Sequence, residues 1–144
     1  MCSWKTSNGC CMSKTLGNLV LFTLLLAACD YKPRNQGKVL YERNCQSCHM
    51  ESSQGLGRLL PPVANADYVL EHRAELACII RHGISGPIQV NGVTYEGEME
   101  GNRQLTDVEI NNLVHFILVD LNKQKEHFVI NEVRNQLEKC SSTR

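Results

Sequence analysis

The chain has 144 residues, of which 42% are hydrophobic, so it is long enough for one small domain besides any segment that is removed. Fifteen basic and fifteen acidic residues give a formal net charge of zero, which argues against a nucleic-acid partner because such proteins carry a strong basic excess. There is no apolar stretch of about 18 or more residues, and this excludes an ordinary transmembrane helix.

The N-terminal 28 residues are predicted to be a lipoprotein signal peptide. Residues 16–28 form an apolar run that follows Lys14 and is too short to span a bilayer comfortably, as in the n-region and h-region of a signal peptide. The run ends in Leu-Ala-Ala-Cys, and small residues before a cysteine resemble the lipobox of bacterial lipoproteins. A start at Met12 in place of Met1 would make this signal more compact, and the sequence leaves both starts open.

The lipobox resemblance implies that Cys29 is acylated and becomes the mature N-terminus. Two or more acyl chains give lasting attachment to a membrane. Residues 29–36 would then be a lipid-anchored linker that holds the domain close to the bilayer, on the periplasmic side of a bacterial cell envelope. The alternative is a soluble secreted protein in which Cys29 is an incidental thiol.

A predicted helix at residues 37–44 leads into Cys45-Gln46-Ser47-Cys48-His49. This C-x-x-C-H spacing is typical of a c-type haem attachment site, in which two thiols bind the porphyrin and the histidine binds iron axially. A zinc site would need a second ligand pair, and the chain has no other C-x-x-C. A thioredoxin-like motif would need a βαβ context, and none follows.

After His49, residues 50–60 contain several Gly and Ser residues and predict a loop, and Pro61-Pro62 then fixes an extended path. A loop at this place can present a backbone carbonyl to the second nitrogen of His49, which would fix the orientation of the ring. The alternative for the prolines is a simple turn.

Residues 65–82 predict a helix in two pieces, with Asn65 or Asp67 as the first cap and Gly83 as the final stop. The sequence of residues 88–95 alternates around Asn-Gly and predicts a β-hairpin with a type I′ turn. Residues 96–104 predict a loop that carries Met99.

The clearest helix begins at Leu105, where Thr106 and Glu109 form a capping box, and its apolar residues recur at helical spacing as far as Leu121. After a polar break, residues 131–139 predict a last short helix. The apolar lining of a haem pocket is predicted to comprise Leu59, Leu60, Val63, Ile80, Ile84, Leu105 and Ile110.

Candidates for the second axial position are the remaining methionines and histidines: Met50, Met99, His72, His82, His115 and His127. Met50 adjoins His49 and cannot reach the opposite side of a haem, and His72, His82 and His115 are better explained as surface or hydrogen-bonded residues. We expect Met99 to bind iron, with bis-histidine ligation and an open site as alternatives. A thioether raises the reduction potential and leaves no vacant position, which suits electron transfer better than catalysis.

Two cysteines, Cys78 and Cys140, remain after the export segment and the haem motif are accounted for. Because an exported domain folds in an oxidising compartment, we expect a disulfide between them. The alternative is a pair of separate buried thiols.

Residues 37–121 resemble class I cytochrome c. Gly37 and Tyr41 stand eight and four residues before Cys45, as in that family, and the resemblance implies that they meet the last core helix near Phe116. It also implies that the Pro61 carbonyl bonds the axial histidine and that Met99 is the sixth ligand. One departure is that Glu100 follows Met99, where such domains usually carry proline.

The resemblance implies an all-α fold of the class I cytochrome c type. Its helices wrap around one covalent haem c, with a small β-hairpin inserted before the axial methionine loop. Residues 37–122 would form this cytochrome c domain and residues 123–144 a C-terminal helical extension.

The function implied is that of a membrane-tethered electron carrier, not an enzyme. Its expected partners are a quinol-oxidising complex or dehydrogenase on one side and a terminal oxidase or reductase on the other. One alternative is a fixed cytochrome subunit of an oxidase, a nitrite reductase or a dehydrogenase complex. Another, from a different class, is a haem sensor or small peroxidase, which would need an exchangeable sixth position.

Overall fold

The structure is a computed structural model, and it describes residues 35–125 and 128–141. The predicted signal peptide, the lipid site at Cys29, most of the predicted linker and the candidate ligand His127 lie outside the described residues. Within the described part, no helix is both long enough and apolar enough to cross a bilayer.

In the described residues, four short helices come first, four short strands follow in two antiparallel pairs, and three helical segments end the chain. The helices are α1 (Gln36–Asn44), α2 (Gln46–His49), α3 (Asp67–Glu71), α4 (Leu76–His82), α5 (Asp107–His115), a π-helical segment (Phe116–Leu121) and α6 (Ile130–Ser141). The strands are β1 (Gly83–Ile84), β2 (Ile88–Val90), β3 (Val93–Tyr95) and β4 (Met99–Glu100). Strand β1 pairs with β4, and β2 pairs with β3.

The core is built where α1 crosses α5 and the π-helical segment. A Cβ at Gly37 would overlap the carbonyl oxygen of Asn112 and the Cβ of Phe116, so glycine allows the two helices to touch through their backbones. Four residues later, the ring of Tyr41 lies 5.6 Å from that of Phe116. The meeting of Gly37 and Tyr41 with Phe116, which the family resemblance implied, is therefore present.

The predicted capping box of α5 is present, with Thr106 as the N-cap, and the helix begins at Asp107 rather than at Leu105. The Thr106 hydroxyl accepts a hydrogen bond from the Glu109 N–H at 3.3 Å, and a Glu109 carboxylate oxygen accepts one from the Thr106 N–H at 2.8 Å. The helix does not continue to Leu121 in α form, however, because its last six residues are π-helical. The buried side chain of Asn122 donates to the Ile117 carbonyl there, at 2.8 Å, which gives the widened turn a side-chain partner.

The predicted caps of α3 were wrong. Its N-cap is Ala66, and neither Asn65 nor Asp67 occupies the N-cap position, although the Asp67 carboxylate accepts from the Tyr68 N–H at 2.7 Å. Asp67 is instead the first helical residue, and its carboxylate accepts from the N–H of Asn91 at 2.6 Å, while the Asp67 N–H donates to the Asn91 side chain at 3.1 Å. This exchange ties α3 to the hairpin turn, where Asn91 and Gly92 both have positive φ, as a type I′ turn requires.

One feature goes beyond an all-α fold with one hairpin. Met99, predicted to lie in a loop, is part of β4, opposite Ile84 of β1. A ladder of two-residue strands leaves no alternating pattern in the sequence, so periodicity could not indicate it. The predicted last helix is present as α6, which packs on α4 and α5, and its Val133 and Leu137 join the same buried core.

The structure also joins Cys78 of α4 to Cys140 of α6 in a disulfide, with Cα atoms 6.1 Å apart. The residues are 62 positions apart in sequence, so this link closes most of the domain into one loop.

Candidate functional site

The C-x-x-C-H motif folds into a single helical turn at the end of α1. Cys45 is the N-cap of α2, and its carbonyl accepts from the N–H groups of Cys48 and His49 at 3.2 and 2.9 Å. Both thiols are free; Cys45 is half-buried and Cys48 exposed. The turn therefore brings Cys45, Cys48 and His49 to the wall of one cavity.

Burial, and secondarily the neighbouring Cys48, raises the pKa of the Cys45 thiol to about 11. Cys45 is therefore a neutral thiol at physiological pH. Redox-active C-x-x-C motifs work by the opposite device, a cysteine of lowered pKa. This electrostatic environment argues against the thioredoxin-like alternative.

The imidazole of His49 is fixed by a backbone carbonyl. Its Nδ1 lies 3.0 Å from the carbonyl oxygen of Pro61, so Nδ1–H donates and Nε2 remains available to a metal. Burial lowers the pKa of His49, and the bond to Pro61 offsets part of that effect. The ring is thus kept in the neutral form that binds iron.

A tight loop carries the Pro61 carbonyl to this place. The carbonyl of buried Ser53 accepts from the N–H groups of Val63 and Ala64 at 2.9 and 3.0 Å, which folds the chain back on itself. Gly55 has φ +70°, and a Cβ there would overlap Leu60 and Pro61. Glycine at this position lets the loop close tightly enough for Pro61 to meet His49.

The cavity has a volume of about 810 Å³ and adjoins a smaller apolar space of about 80 Å³. The larger volume lies within the range usual for small-molecule and cofactor sites, roughly 300–1,000 Å³. Cys45, His49, Pro61 and Met99 line both spaces. Leu59 lines the larger space and is still 71% exposed, so the cavity is open to solvent on that side.

Five of the seven predicted apolar lining residues are found in the walls. Leu59, Leu60 and Ile84 line the larger space, and Val63 and Ile80 line the smaller one. Leu105 and Ile110 line neither, which corrects the prediction: both are buried in the core, where α5 packs against the other helices. Helical spacing marks the buried face of α5, but it cannot say whether that face meets a neighbouring helix or a cavity.

The hairpin of β2 and β3 contributes two side chains to the wall of the larger cavity, and neither was predicted to line it. Ile88 and Tyr95 face each other across β2 and β3, and both line the larger space. The Tyr95 hydroxyl donates to the Gly57 carbonyl at 3.2 Å, which holds the loop of residues 50–60 against the hairpin. The signal was present, since these residues fall on one face of the alternating pattern.

The candidates for a second iron ligand separate clearly. Among those in the described residues, Met99 lines both spaces and His72 lines the smaller one, while Met50, His82 and His115 line neither. The Nδ1 of His72 is 3.0 Å from the Tyr68 carbonyl, and its ring stacks on Tyr68 at 3.9 Å. His72, the C-cap of α3, is thus stacked beside the smaller space only, whereas Met99 also lines the larger cavity together with His49.

These observations fit a covalently bound haem. Two free thiols and an imidazole with one nitrogen held in place line the same cavity as a thioether, and the adjoining walls are apolar. The described residues place Cys45, Cys48, His49, Pro61 and Met99 together. Cys78 and Cys140 lie apart from this set and belong to the bracing of α4 by α6.

Comparisons with known proteins give a consistent picture. The family model described as Cytochrome c matches residues 35–119. A cytochrome c-552 of Thermus thermophilus is 32% identical over 111 residues, which are 74% of this chain and 70% of that protein. A second Thermus thermophilus cytochrome c-552 is 32% identical over 77 residues, covering 51% of this chain and 59% of its own length.

Proposed function

Because this chain belongs to the cytochrome c family, we propose that it is a membrane-tethered electron carrier with a single haem c. Cys45 and Cys48 would bind the porphyrin through thioethers, and His49 and Met99 would bind the iron. The observation that carries this assignment is that all four side chains line one cavity, with His49 already oriented by Pro61.

The bound haem would supply a one-electron iron couple, and the chain's residues would set its conditions. The Pro61 carbonyl makes the His49 imidazole more electron-rich by accepting its Nδ1 proton in a hydrogen bond. The Met99 thioether favours ferrous iron and so raises the potential. The apolar wall excludes water, and the opening beside Leu59 lets a partner protein approach the cavity.

If His49 and Met99 both bind the iron, the haem would supply electron transfer and the protein would not act as an enzyme. The proposed partners are a quinol-oxidising complex or dehydrogenase and a terminal oxidase or reductase. The proposed location is the periplasmic side of a bacterial cell envelope, with the lipid on Cys29. These parts of the proposal are supported by the lipobox-like sequence and by the membership of the family.

The first experiment tests whether the chain binds a covalent haem and which residues are ligands of its iron. Protein produced in a host that matures c-type cytochromes should show the added mass of one porphyrin, and the double variant C45S/C48S should lack it. The ferric protein should show the far-red absorption band of methionine-ligated haem, which M99A should lose and the matched control M50A should keep.

Two outcomes would overturn this proposal. A colourless protein without added mass would remove the haem altogether. A wild-type protein that lacks the far-red band and rapidly binds carbon monoxide in its ferrous form would have an open sixth position, which points to a sensor or peroxidase.

The tether has its own test. The wild-type protein should fractionate with membranes and take up a labelled fatty acid, whereas C29S should do neither. If C29S also remains with the membrane as part of a purified complex, the protein is a fixed subunit of that complex and not a tethered carrier.

A further inference from the structure

The segment that carries Met99 crosses the end of α4 at unusually short range. In the β1–β4 ladder, Gly83 faces Glu100 and Ile84 faces Met99. A Cβ at Gly83 would overlap the Met99 carbonyl oxygen, and one at Gly101 would overlap the carbonyl carbon of His82. The two backbones therefore touch directly, with a glycine on each side of the crossing.

Gly101 is required for space alone. Its φ lies outside the left-handed region, so a left-handed backbone is not the reason for glycine here. A Cβ there would nevertheless stand 2.6 Å from both the Arg81 carbonyl oxygen and the Gly83 nitrogen. These are backbone atoms that cannot turn away as a flexible side chain would, so a larger residue must push the two segments apart.

The chain is anchored again immediately after the crossing. The Asn102 N–H donates to the Ile80 carbonyl at 2.8 Å, and the Asn102 side chain donates to that of Asn44 at 3.0 Å. Asn44 is the last residue of α1 and in turn donates to the Leu40 carbonyl at 2.8 Å. This chain of bonds connects the Met99 segment to the helix that ends at the C-x-x-C-H motif.

Arg81 supplies the third anchor from the last turn of α4. Its guanidinium donates to the carbonyls of Arg103 and Leu105 at 3.1 and 2.5 Å. It also pairs with the Asp107 carboxylate at 2.9 Å, at the start of α5. The segment from Met99 to α5 is thereby held along its length by α4, through backbone contact first and charged hydrogen bonds afterwards.

We propose that this crossing acts as a clamp, in which Gly101, Arg81 and Asn102 are positioning residues that keep Met99 in the cavity wall and so keep the sixth iron position closed. The inference rests on the proposed ligation by Met99. It goes beyond that ligation by assigning the hold on the thioether to backbone contacts with α4. The clamp also explains how Met99 can be held with Glu100, and not proline, as its successor.

The test compares G101A with G97A in the haem-loaded ferric protein. Gly97 lies on the same segment and also lines the larger cavity, its φ is also outside the left-handed region, and within the chain a Cβ there would meet the Leu59 carbonyl oxygen at an ordinary 3.8 Å, so G97A adds the same methyl group to the wall without disturbing the crossing. The readouts are the far-red band, the reduction potential and the affinity for added imidazole, an external iron ligand.

We expect G101A to bind imidazole about tenfold more tightly than wild type, because apparent affinity rises in proportion to the fraction of molecules with an open site. Its far-red band should weaken and its potential should fall. G97A should match the wild type in all three. A G97A variant that changes as much as G101A would show that added bulk in the cavity wall, and not loss of the crossing, opens the site, and would refute the clamp. If G101A lowers only the melting temperature and keeps wild-type imidazole affinity, the glycine is merely structural and the clamp is refuted.

A second variant guards against misfolding of G101A. N102A adds no bulk and removes the side-chain bond to Asn44, together with the bond that the Gln104 N–H donates to Asn102, and it should raise imidazole affinity by a smaller factor than G101A. Equal affinity in N102A and wild type would also refute the clamp. A wild-type protein without the far-red band would overturn the ligation itself, and the clamp with it, before any variant is compared.

Discussion

The ring and the hydroxyl of Tyr41 affect stability in opposite ways: the ring packs favourably in the core, while burial of the hydroxyl carries a desolvation cost. The ring packs on Phe116, but among the described residues neither the Tyr41 hydroxyl nor that of Ser53 has a hydrogen bond of normal geometry. Burial raises the pKa of Tyr41, and the nearby Ser53 hydroxyl offsets part of this rise. A buried polar group without a partner costs roughly 1–3 kcal/mol, so the hydroxyl should not add to the free energy of unfolding.

Replacing Tyr41 by Phe should therefore leave stability unchanged or raise it by about 1 kcal/mol, because the desolvation cost disappears while the ring remains. Urea unfolding measures the change. Y41A, the control, should lose about 3–5 kcal/mol, since it empties the contact with Phe116. A loss in Y41F of more than about 1 kcal/mol would mean that the hydroxyls of Tyr41 and Ser53 are bonded to each other.

The side-chain cap of α5 makes the free energy of unfolding depend on pH. The Thr106 N–H and, next, the Thr106 hydroxyl lower the pKa of Glu109 below its ordinary 4.5. Because the folded-state pKa is the lower one, the charged carboxylate stabilises the fold above the unfolded-state value. That contribution is lost as the pH falls through the folded-state value.

E109Q keeps a side chain that can accept the cap bond but removes the charge. We expect it to melt at a lower temperature than wild type at neutral pH, with a difference that shrinks towards zero as the pH is lowered to about 3. Thermal melts across this range measure it. A difference that stays constant would show that the carboxylate charge does not contribute to the cap.

At the scale of elements, Asn122 joins the loop after Pro61 to the end of the core helix. Its side chain accepts from the Ala66 N–H at 2.9 Å and donates to the carbonyls of Val63 and Ile117 at 2.9 and 2.8 Å. One buried amide thus satisfies three backbone groups from two segments. In the sequence the same residue belongs to a polar break, with nothing to distinguish it from an exposed turn residue.

N122A should lower the free energy of unfolding by about 2–4 kcal/mol, because it leaves buried backbone groups without partners. N135A, on the exposed side of α6, should change stability by less than about 0.5 kcal/mol and serves as the control. Chemical denaturation measures both. If N122A and N135A have the same free energy of unfolding, water has replaced the lost hydrogen bonds and Asn122 does not hold the loop.

At the scale of the whole molecule, α6 is part of the domain although it lies beyond the family match. The buried Gln136 side chain accepts from the Ala77 N–H at 3.1 Å, in the first turn of α4, and donates to the Arg73 carbonyl at 3.2 Å. Glu75, the N-cap of α4, makes no side-chain cap of its own. The extension therefore caps the helix that lines the cavity, and the disulfide fastens the same pair of helices.

The double variant C78S/C140S should have a free energy of unfolding about 4 kcal/mol below that of the wild type. The disulfide restricts the unfolded chain by closing a loop of 62 residues, and the variant lacks this restriction. Urea unfolding with and without reductant measures this. Reduced wild type should fall to the stability of the variant, while the variant itself should not respond to reductant. Mass spectrometry of the non-reduced protein must find neither thiol alkylatable; two alkylatable thiols would contradict the bond.

Much of this protein follows from the sequence because the signals are local. The C-x-x-C-H turn, the Thr106–Glu109 capping box and the Asn91–Gly92 turn each depend on residues within a few positions of one another. The stripe of α5 is equally local, since helical geometry alone decides which residues share a face. The resemblance to a family then placed the Pro61 carbonyl on His49, a contact no local pattern contains.

Only the tertiary structure decided how distant segments meet. The ladder that holds Met99, the cap of α4 by Gln136 and the three bonds of Asn122 join residues far apart in the chain. Backbone groups are the same in every residue, so no sequence pattern marks which of them will be partners. An apolar helix face can also pack against either another helix or a cavity, and the sequence does not distinguish the two. The amino-acid order thus determined the chemistry of the site, and packing determined how firmly that chemistry is held.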